Sequence, residues 1–165
     1  MINASCVDKK IPEMEFCTCS HKVKVSSRAL KVAEKFKQKN GKCEAGGILL
    51  GYVYSDYDEI TKITAPNKHD KRERMQFIRA KKPAQKEINK SWKKSKGKLV
   101  YLGEWHTHSE TRPTPSQEDR DMIRNQFNNN EIETEYLYLL IVGLENTFWV
   151  GMQDKKGLYS IKRIT

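Results

Sequence analysis

The sequence predicts an α+β fold, with a mixed central β-sheet flanked by helices in a three-layer α/β/α arrangement. Strand-like and helix-like segments interleave through the first two thirds of the chain, and three strand-like segments joined by turn residues close it. Residues 45–54 form a nearly continuous apolar run, which is typical of a buried strand. No repeat, low-complexity tract or linker divides the 165 residues, so we expect a single domain over 1–165.

The first strand and the first helix follow from periodicity and from the residues that cap a helix. Apolar and polar residues alternate weakly over 14–25, which predicts a strand. Ser26 or Ser27 can cap a helix that runs to about Asn40, and the dipeptide Asn40-Gly41 ends it. One face of this helix carries its apolar positions, which are Ala29, Val32, Ala33 and Phe36.

The middle of the chain alternates between apolar runs and a long polar stretch. A turn after the buried run at 45–54 leads to a strand at 59–65. The basic stretch at 66–82 predicts a long loop or a short edge strand. A helix over 84–96 then presents Ile88 and Trp92, one turn apart, on one face.

The last third predicts a strand, a helix and a closing set of strands. Residues 99–107 are apolar enough for a strand, and Ser116 begins a helix to about residue 128 with Ile123 and Phe127 turned inward. The final strands are expected near 135–143, 146–152 and 157–164.

The charge balance and the lack of long apolar runs limit the partners and the compartment that we expect. The chain carries 31 basic and 21 acidic residues, a net charge of +10, which favours acidic partners without naming one. The densest basic stretch, 79–98, is more simply explained as the solvated face of a helix than as a dedicated binding patch. No apolar run is long enough to cross a membrane, and no secretory signal is visible, so we expect a cytoplasmic protein.

The four cysteines, Cys6, Cys17, Cys19 and Cys43, match no secreted disulfide framework. Cys17-x-Cys19 with His21 could bind a metal, but structural zinc pairs are spaced differently and have two further ligands. Free thiols are therefore expected.

The segment from Glu104 to Asp119 carries the strongest chemical signal of the chain. His106 and His108 are two apart on a strand, so both imidazoles leave the same face. As an N-cap, Ser116 would place Asp119 at the third position of the first helical turn, pointing back toward the end of the strand. Two imidazoles and one carboxylate can hold zinc with its fourth position open, which is the arrangement of a catalytic rather than a structural site.

A general base is also required, because metal-assisted hydrolysis must still move a proton. Glu44, at the start of the buried strand, is one candidate, and Gly46 and Gly47 behind it would leave room for a substrate. Glu104 and Glu110 lie nearer to the histidines in sequence, and spacing alone does not choose among the three carboxylates.

Two sequence blocks together resemble the JAMM (MPN+, JAB) metalloprotease family. They are Glu-Ala-Gly-Gly-Ile-Leu-Leu-Gly at 44–51 and Gly-Glu-Trp-His-Thr-His followed by Ser-x-x-Asp within 103–119. The resemblance implies a cytidine deaminase-like JAB/MPN fold and Zn²⁺ held by His106, His108 and Asp119. It further implies that Glu44 acts as general base and acid, and that Ser116 hydrogen-bonds the water or the tetrahedral oxyanion. Ser109 departs from the proline that many members have after the second histidine.

Within the family, the histidine block most resembles small bacterial proteases encoded beside cGAS-like nucleotidyltransferases in CBASS anti-phage operons. The resemblance implies hydrolysis of the amide or isopeptide bond that follows the C-terminus of a ubiquitin-like modifier or of a conjugated cGAS-like nucleotidyltransferase. The expected partner is therefore a protein substrate, with no membrane and no nucleic acid.

Three other functions fit part of the sequence. A zinc nucleobase deaminase would need a Pro-Cys-x-x-Cys helix start, which this sequence lacks. A non-catalytic MPN scaffold would lack one or more ligands, and this chain lacks none. A DNA-associated JAB-type protein would suit the basic charge, but no basic and aromatic residues interleave in the way that base stacking requires.

Overall fold

The computed structural model describes residues 11–165 and shows a mixed α+β fold. Cys6 lies outside the described residues. The helices are α1 (Ser27–Glu34), α2 (Lys81–Lys94) and α3 (Gln117–Asn129). The strands are β1 (Met14–Cys17), β2 (Lys22–Val25), β3 (Gly46–Val53), β4 (Asp58–Ile63), β5 (Lys71–Arg72), β6 (Phe77–Ile78), β7 (Val100–Thr107), β8 (Leu137–Val142), β9 (Phe148–Asp154), β10 (Gly157–Ser160) and β11 (Lys162–Arg163).

Nine of these strands form one sheet, in the order β10-β9-β8-β7-β3-β4-β2-β1-β11. The pairs β2/β4 and β7/β8 are parallel and the other neighbours are antiparallel. β10 and β11 lie at opposite edges of the sheet, yet only Ile161 separates them in the chain. The sheet must therefore curl until its edges approach each other, and the buried Ile161 donates its backbone N–H to Val150 O at 2.9 Å across this junction.

Both faces of the central strands are covered by helices. On β3, Leu49 packs into a core that contains Ala29 and Leu30 of α1. Ile48 and Leu50 point the other way, into a second core that contains Ala84 of α2 and Ile123 of α3. This double burial explains the continuous apolar run that the sequence shows at β3, because a strand covered on both faces has no solvated side.

The predicted strand at 14–25 is wrong as a single element, because the chain forms the β1–β2 hairpin there. Thr18 Oγ1 accepts the backbone N–H groups of Ser20 and His21 and closes the turn. Phe16 pairs with Val23 across the hairpin, and β1 pairs on its other edge with β11 from the far end of the chain. The weak alternation was therefore two short half-buried strands separated by a turn.

Helix α1 begins as predicted but ends early. Ser26 is its N-cap and accepts the Ala29 N–H at 3.2 Å. The helix ends at Glu34 rather than near Asn40, and a short 3-10 helix follows at Lys39–Gly41 with Asn40 at a φ of 57°. The intervening Gln38 is buried, and its amide donates to the backbone carbonyl oxygens of Lys42 and Arg74, so this segment serves a tertiary contact instead of a further helical turn.

Helix α2 begins three residues earlier than predicted and turns Trp92 outward. Ala84 and Ser91 are its buried residues, whereas Trp92 is 48% exposed. Gly97, at a φ of 82°, donates its N–H to Trp92 O at 2.8 Å and lies under the Trp92 ring. Trp92 therefore covers the C-terminal cap of the helix rather than the core.

The stretch at 66–82, predicted to be a long loop or a short edge strand, contains the small β5–β6 hairpin, which is separate from the main sheet. No helix within residues 11–165 is both long enough and apolar enough to cross a membrane.

Candidate metal centre

Strand β7 positions the two histidines on the same face of the sheet. His106 lies opposite Gly46 of β3 and beside Ile141 of β8. His108 follows the strand end and is fixed by its backbone N–H, which donates to Val142 O at 2.9 Å. Both imidazoles are largely buried, at 3% and 9% exposure, so their orientation is set by the central strands rather than by solvent.

The first turn of α3 supplies the carboxylate. Ser116 caps the helix by accepting the Asp119 N–H at Oγ (3.2 Å), and Asp119 Oδ2 accepts the Ser116 N–H at 2.8 Å. This reciprocal capping box fixes the Asp119 side chain at the helix N-terminus, facing the histidines. Capping and site formation, which the sequence left as competing explanations of Ser-x-x-Asp, are both properties of these residues.

The three side chains converge at spacings that suit a tetrahedral metal ion. Asp119 Oδ1 lies 3.0 Å from His106 Nε2, Asp119 Oδ2 lies 3.1 Å from His108 Nε2, and the two Nε2 atoms are 3.2 Å apart. Ligands held about 2.0–2.1 Å from a tetrahedral zinc lie about 3.3 Å from one another. Among residues 11–165, this is the one cluster of histidine, cysteine and carboxylate groups arranged to hold a metal.

The electrostatics favour a charged carboxylate at this position. Burial acts to raise the pKa of Asp119, but the hydrogen bonds from His106, His108 and the Ser116 N–H, with the charge of His106, outweigh burial and hold that pKa well below its usual range. Burial acts to lower the pKa of His108, yet the hydrogen bond to Asp119 and the surrounding carboxylates leave it raised. The cluster therefore carries an anionic ligand at any ordinary pH, as a cation site requires.

The structure distinguishes the three candidate carboxylates. Glu104 Oε1 and Oε2 accept Arg79 Nη2 (2.7 Å) and Nε (2.8 Å), and Tyr101 donates its hydroxyl to Oε1 at 2.6 Å. Glu110 is exposed and accepts the Thr114 N–H. Glu44 lines the cleft beside the cluster, and within residues 11–165 its carboxylate has no hydrogen-bond donor. Glu44 is thus the carboxylate whose lone pairs are available for a proton.

The backbone of Glu44 and Ala45 is held by four hydrogen bonds. Its N–H donates to Glu73 O at 2.7 Å, and its carbonyl oxygen accepts Arg72 Nε at 2.8 Å. The next residue, Ala45, donates to Thr107 Oγ1 (3.0 Å), and the Thr107 N–H donates to Ala45 O (2.8 Å). Thr107 lies between the two histidines, so this pair of bonds holds Ala45, the neighbour of Glu44, against the strand that carries both histidines.

The environment of Glu44 also shifts its protonation. Burial raises the pKa of the Glu44 carboxyl, while the nearby imidazoles of His106 and His108 oppose part of that rise. A carboxyl whose pKa is moved toward neutral pH can both accept and return a proton, which is the property that general acid–base catalysis uses.

The space beside Gly46 and Gly47 is filled by protein, which corrects the expectation that these glycines leave room for a substrate. A Cβ on Gly46 would lie 2.4 Å from Trp105 O and 2.6 Å from the Phe77 ring, and one on Gly47 would lie 2.4 Å from Thr64 Oγ1. Gly46 therefore allows close packing of Phe77, from the β5–β6 hairpin, against β3, and Gly47 allows close packing of Thr64.

A cleft of about 550 Å³ opens over the cluster, a size typical of ligand-binding sites. One wall is the face of β7 and the start of α3, and the other is the segment from Arg74 to Arg79. Met75 is 90% exposed and Ile78 50% exposed on that second wall, so apolar side chains flank the cluster. The cleft therefore offers exposed apolar side chains next to the metal-ligand set.

Cys17, Cys19 and His21 do not form a second metal cluster within the described residues. Cys17 and Cys19 are free thiols, as is Cys43, in agreement with the expectation. His21 Nε2 instead contacts Asp58 Oδ2 at 2.8 Å.

Sequence reasoning missed the residues that hold the site together. Arg79 and Gln38 were not singled out, although Arg79 binds Glu104 on the cleft wall and Gln38 Oε1 accepts the Thr107 hydroxyl at 3.1 Å. Their partners lie 25 and 69 positions away, so no local spacing signals them. The position of Thr107 between two inward-facing histidines was the available clue.

Comparisons with known proteins agree with this geometry. Residues 27–151 match the family model described as prokaryotic homologs of the JAB domain. The chain belongs to this family. A Vibrio cholerae protein named CD-NTase/cGAS isopeptidase is 35% identical over 121 residues, which span 73% of this chain and 74% of that protein. The Sinorhizobium fredii protein named "Probable metalloprotease y4qB" is 30% identical over 123 residues, 70% of this chain and 74% of the relative.

The fold is also found in a solved structure. The solution structure of protein DSY2949 from Desulfitobacterium hafniense matches with a TM-score of 0.58, covering 84% of this chain and 87% of that one at 21% identity. The family and its relatives make the chain a hydrolase of the JAMM type, with a candidate metal site at His106, His108 and Asp119.

Proposed function

We propose that the chain is a zinc-dependent isopeptidase that hydrolyses the amide bond after the C-terminus of a conjugated cGAS-like nucleotidyltransferase, in bacterial anti-phage (CBASS) defence. The observation that carries the proposal is the convergence of His106, His108 and Asp119 in one cleft. Beside them lies the Glu44 carboxylate, which accepts no hydrogen bond within residues 11–165. A protein of this family that is named for the same reaction shares 35% identity over 73% of the chain.

In this proposal, His106, His108 and Asp119 hold Zn²⁺, whose Lewis acidity lowers the pKa of water and polarises a carbonyl. Glu44 accepts the proton of the attacking water and returns it to the leaving amine, which must be protonated to depart. The raised pKa of Glu44 suits both transfers.

Ser116 is proposed to stabilise the charge that develops on the carbonyl oxygen. Its Oγ accepts the Asp119 N–H, so the hydroxyl proton is left to donate into the cleft. A donor aimed at an oxygen that becomes negative only in the transition state lowers the barrier without tightening substrate binding.

The proposal also includes the domain organisation, the compartment and the alternative substrates. We infer that the fold is a single domain over 1–165 in the three-layer, cytidine deaminase-like arrangement, and that the protein acts in the cytoplasm. A ubiquitin-like modifier is the second substrate to test. A DNA-associated role or a non-catalytic scaffold would be the outcome if hydrolysis fails.

The test uses a CD-NTase fused through its C-terminal residue to a fluorescent reporter, with a ubiquitin–reporter fusion beside it. We expect the zinc-loaded protein to release the reporter, and Glu44→Gln to lower kcat by about 10²–10⁴-fold, the usual contribution of a general base. Glu118→Gln is the matched control, because Glu118 lies in the same cleft on the first turn of α3 and is exposed. It should cleave like the wild type.

The proposal fails if zinc-loaded wild type leaves both fusions intact. Tight, salt-dependent binding of duplex DNA in that case would support the DNA-associated alternative. Equal losses in Glu44→Gln and Glu118→Gln would remove the special role of Glu44.

A further inference from the structure

A second groove, of about 720 Å³, lies along the exposed side of α2 and is bounded by the loop at 67–69. Five lysines line it and define what we call the lysine groove: Lys68, Lys81, Lys82, Lys86 and Lys90. All five are exposed. Lys82, Lys86 and Lys90 follow one another at i, i+4 spacing, so their ammonium groups form a row on one face of the helix.

The positive charge of the lysine groove is not neutralised locally. The one carboxylate that lines it, Glu87, is bound to Lys62 and accepts the Ser91 hydroxyl at 3.1 Å. Within residues 11–165, none of the five lysines has a carboxylate oxygen within 4.0 Å. Ion pairing inside the described fold therefore does not account for this row of cations.

The lysine groove adjoins the candidate metal centre. Lys81 lines both the groove and the cleft over His106 and His108. Arg79, two residues earlier on the cleft wall, is held by Glu104 at 2.7 Å and fixes the start of α2 relative to β7. The row of lysines therefore begins at Lys82, one residue from the cleft lining.

We propose that the lysine groove binds an acidic segment of the protein substrate and so docks the substrate while its scissile bond lies in the cleft. This proposal rests on the proposed function, because the lysine groove can bind a protein substrate only if the adjoining cleft binds one. It also departs from the solvated helix face expected from sequence alone, since the lysines line a groove that shares Lys81 with the cleft.

The lining chemistry favours an acidic protein over nucleic acid. No Phe, Tyr or Trp lines the groove, so His69 is the one ring there on which a base could stack, and no arginine lines it to form bidentate bonds with phosphate. Trp92, the exposed aromatic residue of α2, is not among the lining residues. Flexible ammonium groups in a row suit the carboxylates of an extended acidic segment, which they attract and orient at long range.

The test compares two charge-reversal variants of the full zinc-loaded chain. One carries Lys82→Glu, Lys86→Glu and Lys90→Glu, and the control carries Lys155→Glu, Lys156→Glu and Lys162→Glu. The control residues are exposed, and none of them lines the cleft or the lysine groove. Lys155 and Lys156 form the turn after β9 at the end of the sheet opposite His106, and Lys162 lies on the edge strand β11. Both variants change the net charge equally.

Two measurements are made. Fluorescence anisotropy follows a fluorescein-labelled twelve-residue peptide of alternating Glu and Ser, beside a labelled DNA duplex. Steady-state kinetics follow the CD-NTase fusion and a short tail peptide without acidic residues. We expect the groove variant to weaken acidic-peptide binding at least about tenfold, and to raise KM for the fusion with little change in kcat, as for loss of ground-state binding. The control and the tail peptide should be unaffected.

Several results would overturn the docking proposal. They are equal weakening in the control variant, an unchanged KM for the fusion, or duplex DNA binding that is tighter than peptide binding and lost in the groove variant. A second set, with the same three lysines changed to Gln, guards against a helix destabilised by adjacent glutamates. Because peptide binding needs no hydrolysis, an inactive wild type that still binds the peptide through the groove would contradict the proposed function and leave the groove's ligand class supported.

Discussion

Two carboxylates in this molecule each contact an imidazole, but one is fully buried and the other borders a cleft. Asp58 Oδ2 accepts His21 Nε2 and the hydroxyls of Tyr136 and Tyr138, all within 2.7–2.8 Å. Asp119 meets His106 and His108, and its side chain retains 14% exposure toward a cleft, whereas Asp58 is 0% exposed. We call these the Asp58 cluster and the Asp119 cluster.

The comparison shows that a carboxylate–histidine contact alone does not identify a functional site. In the Asp58 cluster the donors are two tyrosine hydroxyls and one imidazole, and burial together with Asp58 raises the pKa of both tyrosines, so they remain protonated donors. That cluster lies inside the curled sheet and satisfies Oδ2 from within the protein. In the Asp119 cluster two ring nitrogens and a carboxylate point at one another across a space open to the cleft, an arrangement that a cation would complete.

The largest expected effect is a loss of bound zinc, which should follow a substitution in the Asp119 cluster but not one in the Asp58 cluster. Asp119→Asn removes the anionic ligand, and loss of an outer-shell partner alone already costs a metal site about 10–100-fold, so we expect zinc affinity to fall by at least about a hundredfold. Hydrolysis should be lost with the metal. Competition against a zinc-binding dye and elemental analysis after dialysis measure this.

Asp121→Asn is the matched control, because Asp121 lies on the same helix, is exposed and pairs with Arg124. It should retain zinc and activity. A variant at Asp119 that keeps stoichiometric zinc at wild-type affinity would contradict the assignment of the ligand set.

The second prediction concerns the Asp58 cluster and should affect stability instead. Asp58→Asn puts an amide where three donors converge on a carboxylate, and each buried donor left without an acceptor costs about 1–3 kcal/mol of unfolding free energy. Zinc content should be unchanged in the fraction that folds. Urea denaturation, read by tryptophan fluorescence at a fixed zinc concentration, measures the loss.

Thr61→Val, on the same strand but outside the cluster, controls for substitution within β4. Loss of zinc binding in Asp58→Asn, at a temperature where it remains folded, would mean that the two clusters are coupled and that the distinction between them is wrong.

The same contrast explains what the sequence could reveal. His106, His108, Ser116 and Asp119 lie within one strand, one turn and one helix start, so local rules placed them correctly relative to one another. Asp58 lies on β4, His21 in the turn before β2, and Tyr138 on β8. No short sequence spacing relates these residues, so the sequence does not signal their contact. Sequence reasoning consequently grouped His21 with two cysteines, when its partner was 37 positions away.

The errors in the fold have the same origin. The β1–β2 hairpin depends on β11 as an edge partner, and the early end of α1 depends on contacts of Gln38 with Lys42 and Arg74. Glu44 was a candidate from sequence, but only the Arg79 and Tyr101 contacts to Glu104 exclude that rival base. Long-range pairing therefore decides what local periodicity leaves open.

The smallest predicted effect is the pH dependence of metal affinity, which should belong to the Asp119 cluster alone. The hydrogen bond and charge of Asp119 raise the pKa of His108 in the metal-free protein, so His108 keeps a proton to higher pH than an ordinary histidine. Zinc must displace that proton. Affinity should be constant above the raised pKa and fall by at least about tenfold per pH unit well below it, because the His108 proton competes with zinc.

Titration calorimetry with zinc in two buffers of different ionisation enthalpy checks this, because the difference counts the protons released on binding. We expect proton release to increase as the pH falls from 8 to 6, and the Asp58→Asn variant to give the same curve as the wild type. A zinc affinity that stays flat across this range would mean that His108 is not a ligand. A curve displaced by Asp58→Asn would mean instead that the Asp58 cluster influences the protonation of the Asp119 cluster. This measurement therefore tests whether the two clusters are independent without relying on catalysis.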